Sequence, residues 1–204
     1  MDITDQEFVD CYLAESVEVL QTFANGQAGR SAIAEFSKVI ADALSKGNKV
    51  MLAGNGGSAA DAQHIAGEFI SKLFFDRAPL PAIALTTDSS VLTAVGNDFG
   101  FEKVFERQIL GLGRPGDVFL GISTSGKSPN ILRALEAAKK CSVVTLGFAG
   151  SVSGPMDVLC THILHAPSGK TALIQQIHIV AAHIICGLVE MRLFGTSKAP
   201  EAAQ

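Results

Sequence analysis

The segment LAGNGGSAADAQHIAGE, residues 52–68, joins a short apolar run to a helical pattern through a glycine-rich turn. Its first half is typical of a buried strand entering a turn, where glycine permits backbone angles and close approaches that side chains forbid. Its second half places Asp61, His64 and Glu68 at i, i+3 and i+7, within roughly 60° of one another on a helix. The segment therefore predicts a strand, a turn able to hold a phosphate, and a helix with three titratable side chains on one face.

From residue 49 onward the sequence contains five apolar runs of strand length, and a helical pattern follows most of them. The runs are KVMLAG (49–54), PAIALTT (81–87), DVFLGIST (117–124), SVVTLGFAG (142–150) and THILHAP (161–167). Strands that alternate with helices indicate a parallel sheet covered on both faces. We therefore expect an α/β fold in which residues 48–195 form one domain around a five-stranded parallel sheet.

Helical patterns flank this alternating region. Residues 1–47 contain no proline, and their apolar positions recur at threes and fours, which predicts two amphipathic helices broken near NGQAGR (25–30). These helices are expected to pack on the core and in an oligomer. Residues 171–194 predict a long final helix, and TSKAPEAAQ (196–204) is expected to be a flexible tail.

The composition limits the classes of protein that remain. Hydrophobic residues make up 48% and charged residues 18% of the 204-residue chain, which favours a homo-oligomer. A net charge of −4 argues against nucleic-acid binding. The near-apolar run 179–189 is shorter than the roughly 20 residues of a membrane span, and the start MDITDQEF lacks the features of a signal peptide. We expect a cytoplasmic protein without a membrane span, whose four cysteines are reduced.

A second loop, STSGKSPN (123–130), follows the third predicted strand and supplies hydroxyls from Ser123, Thr124, Ser125 and Ser128 ahead of Pro129. Backbone N–H groups at a helix start, together with hydroxyls, suit a phosphate, and the carboxyl ends of parallel strands meet at one edge of the sheet. Neither loop has the P-loop lysine or the G-x-G-x-x-G spacing, so a sugar phosphate fits better than a nucleotide. Ser58 is expected to cap the helix after the first loop. The alternative is that both loops are ordinary turns.

Four stretches together resemble the sugar isomerase (SIS) family and, within it, the phosphoheptose isomerases. They are GNGGSAADAQHIAGEF, PAIALTTDSSVLTAVGNDFG, GDVFLGISTSGKSPNIL and IQQIHIVAAHIICGLVE, and the likeness runs from about Ile33 to Phe194. The resemblance implies a five-stranded parallel sheet and a homotetramer. It also implies conversion of sedoheptulose 7-phosphate to D-glycero-D-manno-heptose 7-phosphate for lipopolysaccharide or related heptose pathways.

The resemblance also implies residue roles. Catalysis falls to Glu68 and His183, and the zinc ligands of family members with metal correspond to His64, Glu68, Gln175 and His183. Substrate contacts correspond to Asn55, Gly56, Gly57, Ser58, Asn97, Asp98, Ser123, Thr124, Ser125, Ser128 and Gln175. Asp61 is either a second candidate base or a first-turn acid that pairs with the helix dipole. By helical spacing, Gln175 and His183 are roughly 80° apart and can point toward one region.

The sequence departs from the family pattern at two places, and three of its histidines are not assigned to the site. Gln176 stands where the family has an acid, so any role of that acid is lost. AKKCSVVTL (138–146) is one residue short of the usual pattern, which should alter a helix end rather than the site. His178 lies about 140° from His183 around the helix and is left out of the site. His162 and His165 are given structural roles.

Three classes of function are compatible with an SIS domain. Moving a carbonyl between C1 and C2 of a sugar needs a base and an acid or Lewis acid, which Glu68, His183 and zinc would supply. The second class is a non-catalytic SIS binding protein that associates with the replication initiator and lacks the glutamate and histidine pair. The third is a sugar-phosphate-sensing regulatory domain, usually joined to a helix-turn-helix. The presence of Glu68 and His183 favours the enzyme.

Overall fold

One parallel sheet with the strand order β2-β1-β3-β4-β5 organises the computed structural model, which describes residues 3–195. The strands are β1 Val50–Ala53, β2 Ala82–Ala84, β3 Val118–Ile122, β4 Val144–Ala149 and β5 His162–His165. Each of the four strand pairings is parallel, with Leu52 of β1 in register with Ala84 of β2 and Leu120 of β3. The predicted α/β fold with five parallel strands is confirmed, and the predicted tail 196–204 lies outside the described residues.

Helices cover both faces of the sheet. They are α1 Asp5–Asn25, α2 Gln27–Ser45, α3 Gly57–Ile70, α4 Ser89–Phe99, α5 Val104–Leu112, α6 Pro129–Lys140, α7 Pro155–Leu159 and α8 Thr171–Phe194, with a 3₁₀ turn at Phe101–Lys103. Because side chains alternate along a strand, Val50 and Leu52 of β1 face the core under α2, α3 and α8, whereas Met51 and Ala53 face the core under α5 and α6. The sheet therefore carries two cores, as expected for parallel strands buried on both faces.

The two N-terminal helices meet at Gly26, inside the predicted break. Thr4 and Glu7 form a capping box at the start of α1. The amide Nε2 of Gln176 donates to the carbonyl of Ser16 at 3.1 Å, so Gln176 joins α8 to α1. Most of α1 is nevertheless exposed, including a row of large apolar side chains: Phe8, Val9, Tyr12, Leu13, Val17 and Leu20.

The final helix α8 has the predicted bounds and lies in the core. By length and composition this helix could cross a membrane. However, 56% of its most apolar 18-residue stretch is buried inside the protein. Its buried residues pack against α2 and α3 in the larger core. The helix therefore has the character of a core helix.

The shortened stretch 138–146 covers the end of α6, the turn after it and the start of β4. Helix α6 ends at Lys140, and Ser142 adopts a φ of 56°, the single positive φ of a non-glycine residue within 3–195. Strand β4 begins at Val144. The departure in sequence thus falls at a helix end and its turn, as predicted. The four cysteines are free.

His178 is a core residue, as expected. It is 0% exposed, stacks on Phe148, and its Nε2 donates to the carbonyl of Ala149 at 3.1 Å. Its Nδ1 is buried without a hydrogen-bond partner among the described residues. Burial lowers the pKa of His178 from 6.5 to about 4, and the bond to Ala149 opposes this only in part. The folded protein therefore holds this ring neutral at a pH where the unfolded chain protonates it.

We expect the free energy of unfolding to fall as pH drops from about 6.5 to about 4, with His178 accounting for roughly 3 kcal/mol of that loss. The sign follows because the unfolded chain binds more protons than the folded chain in this window. His178→Gln keeps a donor toward Ala149 and does not titrate. Denaturant unfolding at several pH values should show a smaller acid loss in the variant, whereas an equal loss in both proteins would contradict the assignment.

Candidate active site

The two predicted loops meet at the carboxyl edge of the sheet and enclose a cavity of about 320 Å³. The first loop follows β1 and the second follows β3, the strand next to it. The cavity is lined by Asn55, Gly56, Gly57, Ser58, Ile122, Ser123, Thr124, Ser128, Thr171 and Gln175. We call this cavity the cradle. It brings together seven of the predicted substrate contacts on the two loops and Gln175 from the start of α8.

Two glycines of the first loop are required by its geometry. Gly56 precedes α3 with a φ of 55°, a conformation that favours glycine. A Cβ on Gly57 would lie 2.5 Å from Nε2 of Gln175, so a side chain there would displace the Gln175 amide. The prediction that Ser58 caps α3 is wrong, because the N-cap position belongs to Gly56 and Ser58 lies inside the helix. Ser58 is buried and lines the cradle instead.

Hydroxyl groups of the second loop form a connected cluster. Oγ of Ser123 lies 2.9 Å from Oγ of Ser128 and 3.4 Å from Oγ of Ser125. Pro129 is the first residue of α6, as predicted, and Ser128 is its N-cap residue. Ser125 is exposed and lines a neighbouring cavity, together with Lys127 and Ser151, rather than the cradle. Within this cluster, Ser128 therefore lines the cradle and Ser125 lines the neighbouring cavity.

An amide pair joins the two loops, and sequence reasoning missed one half of it. Nδ2 of Asn55 donates to Oδ1 of Asn130 at 3.0 Å, and Nδ2 of Asn130 donates to Oδ1 of Asn55 at 2.8 Å. Asn130 is 3% exposed, so this pair fixes the Asn55 amide at the mouth of the cradle. The one available signal was its place directly after Pro129, at the start of a helix that faces the other loop.

A second cluster lies farther along α3 and α8. Nε2 of His64 is 2.9 Å from Nε2 of His183 and 3.3 Å from Oε1 of Glu68. Potential ligand atoms of these three residues all lie within 4.8 Å of one another. We call His64, Glu68 and His183 the histidine–glutamate cluster. The structure thus brings the two predicted catalytic residues together and adds His64 to them.

The donor set of this cluster suits a zinc ion. Neutral imidazole nitrogen and carboxylate oxygen are zinc ligands, and two histidines with one glutamate form a known catalytic set that keeps a position open. The side chains of His64 and Glu68 are 47% and 20% exposed, which leaves the cluster accessible to a ligand.

Asp61 lies one turn before His64 on α3 and is half-buried. Burial raises the pKa of its carboxyl above the ordinary value, and the charge of His64 partly opposes that rise. Its Oδ2 is buried and has no hydrogen-bond partner within residues 3–195. A carboxyl in such a setting takes up a proton more readily than a solvated one, so Asp61 stays a second candidate base.

Gln175, Asn97 and Asp98 are predicted site residues that do not belong to the histidine–glutamate cluster. Gln175 packs against Gly57 in the cradle and is eight residues from His183, or roughly 12 Å along α8. Their angular separation around the helix allows both side chains to point in similar directions, but this axial separation keeps Gln175 out of the histidine–glutamate cluster of the same chain. Asn97 and Asp98 are exposed on α4, where the Asn97 amide donates to Asp98 at 2.8 Å, and neither lines the cradle.

The remaining histidines have structural surroundings. The two ring nitrogens of His165 lie 2.6 Å from the carbonyl oxygen of Gly150 and 2.9 Å from Oδ1 of Asp157. Asp157 was not anticipated as its partner. His165 therefore ties β5 to α7 and to the end of β4, and His162, also on β5, is partly exposed.

Comparison with known proteins identifies similar sequences and similar folds. A family model described as the SIS domain matches residues 11–150. The phosphoheptose isomerase of Burkholderia pseudomallei strain K96243 is 48% identical over 195 residues, covering 96% of this chain and 99% of the relative. The structure of phosphoheptose isomerase from Neisseria gonorrhoeae superposes with a TM-score of 0.85 at 37% identity, covering 92% of this chain and 99% of that one. The Francisella tularensis phosphoheptose isomerase structure gives a TM-score of 0.89 at 34% identity, covering 93% and 100%.

Family membership follows from these matches, because the model spans more than half of the chain and the relatives align over nearly its whole length. The matched region includes both loops of the cradle as well as His64 and Glu68. The chain therefore belongs to the SIS-domain family and, within it, to the phosphoheptose isomerases, which are aldose–ketose isomerases.

Proposed function

We propose that the protein converts sedoheptulose 7-phosphate to D-glycero-D-manno-heptose 7-phosphate in the cytoplasm, an early step in heptose supply for lipopolysaccharide or related glycans. The observation that carries the proposal is the contact between His64, Glu68 and His183, which places a carboxylate beside two imidazoles. The cradle at the start of α3 and α6 adds the hydroxyls and helix N-termini that suit a phosphate.

The chemistry requires a proton to leave C1 of the ketose and another to reach C2. Glu68 is assigned the base that takes the C1 proton and returns a proton to C2, because its carboxylate is the one acidic group of the histidine–glutamate cluster. His183 is assigned the group that moves protons between the two oxygens as the carbonyl passes from C2 to C1. The intermediate is an enediol, and the reaction is balanced without any other reactant.

The histidine–glutamate cluster is the site where the chain would hold zinc, with His64, Glu68 and His183 as ligands. When bound, zinc would supply Lewis-acid polarisation of the sugar oxygens. A glutamate that binds metal is a weaker base than a free one. With zinc bound, either Asp61, whose pKa is raised by burial, would take the proton, or Glu68 would have to be free of the ion to take it.

A homotetramer fits the distribution of the site and of the apolar surface. The exposed apolar row of α1 needs a partner surface, and a second copy of this chain is the partner that the family implies. Because Gln175 lies roughly 12 Å along α8 from His183 in one chain, a role for Gln175 as a fourth metal ligand requires the Gln175 of a neighbouring copy. The cradle of one copy would then face the histidine–glutamate cluster of the next.

Ser128→Ala is expected to raise KM for the sugar phosphate about tenfold or more with little change in kcat. A hydroxyl that holds a remote phosphate acts equally in the ground state and the transition state, and a hydrogen bond to a charged group is worth roughly 1.5–3 kcal/mol. The matched control is Ser151→Ala, because Ser151 lines the neighbouring cavity and not the cradle. A fall in kcat at constant KM would show that the cradle is misassigned.

The alternative is a non-catalytic SIS protein that binds a sugar phosphate and associates with the replication initiator. It shares the need for a cradle but not for an adjacent carboxylate and imidazole, so the histidine–glutamate cluster favours the enzyme. Incubating the purified protein with sedoheptulose 7-phosphate and looking for the aldose separates the two functions. Saturable binding without any aldose would support the alternative.

A further inference from the structure

A buried ion pair lies behind the histidine–glutamate cluster and links the same two helices. Arg77, in the segment after α3, and Glu190, on α8, are 1% and 0% exposed at their side chains. Nε of Arg77 donates to Oε1 of Glu190 at 2.9 Å. Because neither side chain reaches solvent, neither can touch a substrate, and any effect on the reaction must act through other residues.

The guanidinium of Arg77 contacts the backbone of Glu68 itself. Its Nη2 donates to the carbonyl of Glu68 at 2.7 Å, and its Nη1 donates to the carbonyl of Phe69 at 2.7 Å. These carbonyls belong to the last turn of α3, where helix geometry leaves the C=O groups without intrahelical partners. Arg77 therefore closes the end of α3 at the residue assigned as the base.

Glu190 binds the backbone of the segment that follows α3. Its carboxylate accepts the backbone N–H groups of Leu73 at 2.9 Å and Phe74 at 3.0 Å, in addition to Nε of Arg77. It stands seven residues beyond His183 on α8, or roughly 10 Å along the helix. The ring of Phe74 lies so close to Gly187 that a Cβ there would meet it at 2.3 Å. The segment 71–78 is thus fastened to α8 by both charge and packing.

We propose that Arg77 and Glu190 form a positioning pair that sets the last turn of α3 against α8, and so fixes Glu68 relative to His183. This inference rests on the proposed function. The planar fork of an arginine reaches Glu190 and two carbonyls of α3 at once, whereas a lysine ammonium cannot reproduce that geometry. A small displacement of a reacting group costs as much as roughly a hundredfold in rate, so a pair that never touches substrate can still control kcat.

Arg77→Lys keeps the charge opposite Glu190 but loses the fork toward Glu68 and Phe69. We expect kcat to fall roughly tenfold to a hundredfold while KM changes less than about twofold, because the Arg77 side chain makes no hydrogen bond to a residue that lines the cradle. Steady-state kinetics with sedoheptulose 7-phosphate, alongside thermal melting of the same samples, measures both effects.

Asp117→Asn is the matched control. Asp117 is 2% exposed, pairs with Lys49 at 2.5 Å and accepts the backbone N–H groups of Lys49 and Arg114, at the edge of the sheet opposite the cradle. Burial opposes its charge, but these hydrogen bonds together lower its pKa below the ordinary value. The variant should therefore lose stability at neutral pH while its kcat stays within about twofold of wild type.

If Arg77→Lys folds and keeps wild-type kcat, the pair has only a structural role. The same conclusion follows if Arg77→Lys and Asp117→Asn lower the melting temperature by the same amount and lose the same fraction of kcat. A change confined to KM would also overturn the proposal. Should Arg77→Lys fail to fold, Glu190→Gln removes the charge, keeps the shape and is measured in the same way. A wild-type chain without isomerase activity would overturn the proposed function instead, so the two failures are distinguishable.

Discussion

Glu68→Gln is expected to lower kcat by about 10²–10⁴-fold while the fold is retained. The amide has the shape of the carboxylate but cannot accept a proton from C1 of the sugar. The side chain is 20% exposed and its contact with His64 is one that an amide can keep, so unfolding is not expected. Steady-state kinetics with sedoheptulose 7-phosphate and a thermal melt of the same sample measure the two effects separately.

Glu136→Gln provides the control for this substitution, because Glu136 is exposed on α6 and lies outside both the cradle and the histidine–glutamate cluster. It changes the net charge by the same amount and should leave kcat unchanged. Wild-type turnover in Glu68→Gln would reject Glu68 as the base. Asp61 would then be the remaining carboxyl on the same face of α3.

Removal of bound metal is expected to lower turnover by roughly a hundredfold or more, and added zinc should restore it, because Lewis-acid stabilisation is worth several kcal/mol. His64, Glu68 and His183 supply two nitrogens and one oxygen within 4.8 Å of one another, which is a donor set that zinc accepts. Metal analysis and kinetics on the same sample, before and after chelation, measure this dependence.

His64→Asn should lower the zinc content per subunit, whereas His165→Asn should not, because the His165 ring is engaged by Asp157 and the carbonyl of Gly150. This comparison provides a readout that does not depend on turnover. Unchanged activity after complete metal removal would reject the Lewis-acid role. Glu68 and His183 would then act as an acid–base pair without metal.

The sheet and its helices were predictable because the hydrophobic period changes along the chain. The short apolar runs after residue 49 are fully buried in β1 and β3, and a continuous apolar run is what burial on both faces requires. The i, i+3 and i+7 spacing was also sufficient to place His64 and Glu68 together, because a helix fixes that relation locally. Local geometry thus determined the parts that were right.

The parts that were not predictable depend on distance between elements. The angle between Gln175 and His183 suggested one region, but their separation along α8 puts Gln175 in the cradle. Contacts between different elements left no sequence signal that identifies both partners: Asn55 with Asn130, Arg77 with Glu190, and His165 with Asp157. Ser58 is not the cap because α3 already begins at Gly57, with Gly56 as its N-cap residue at a positive φ.

The most direct test of the central claim is NMR of the purified protein with sedoheptulose 7-phosphate, followed over time for the anomeric signal of an aldose. We predict that the signal of D-glycero-D-manno-heptose 7-phosphate appears with wild-type protein, approaches an equilibrium that is also reached from the aldose side, and is nearly absent with Glu68→Gln. Saturable binding of the ketose by folded wild-type protein, with no aldose formed in the presence of zinc, would contradict the account.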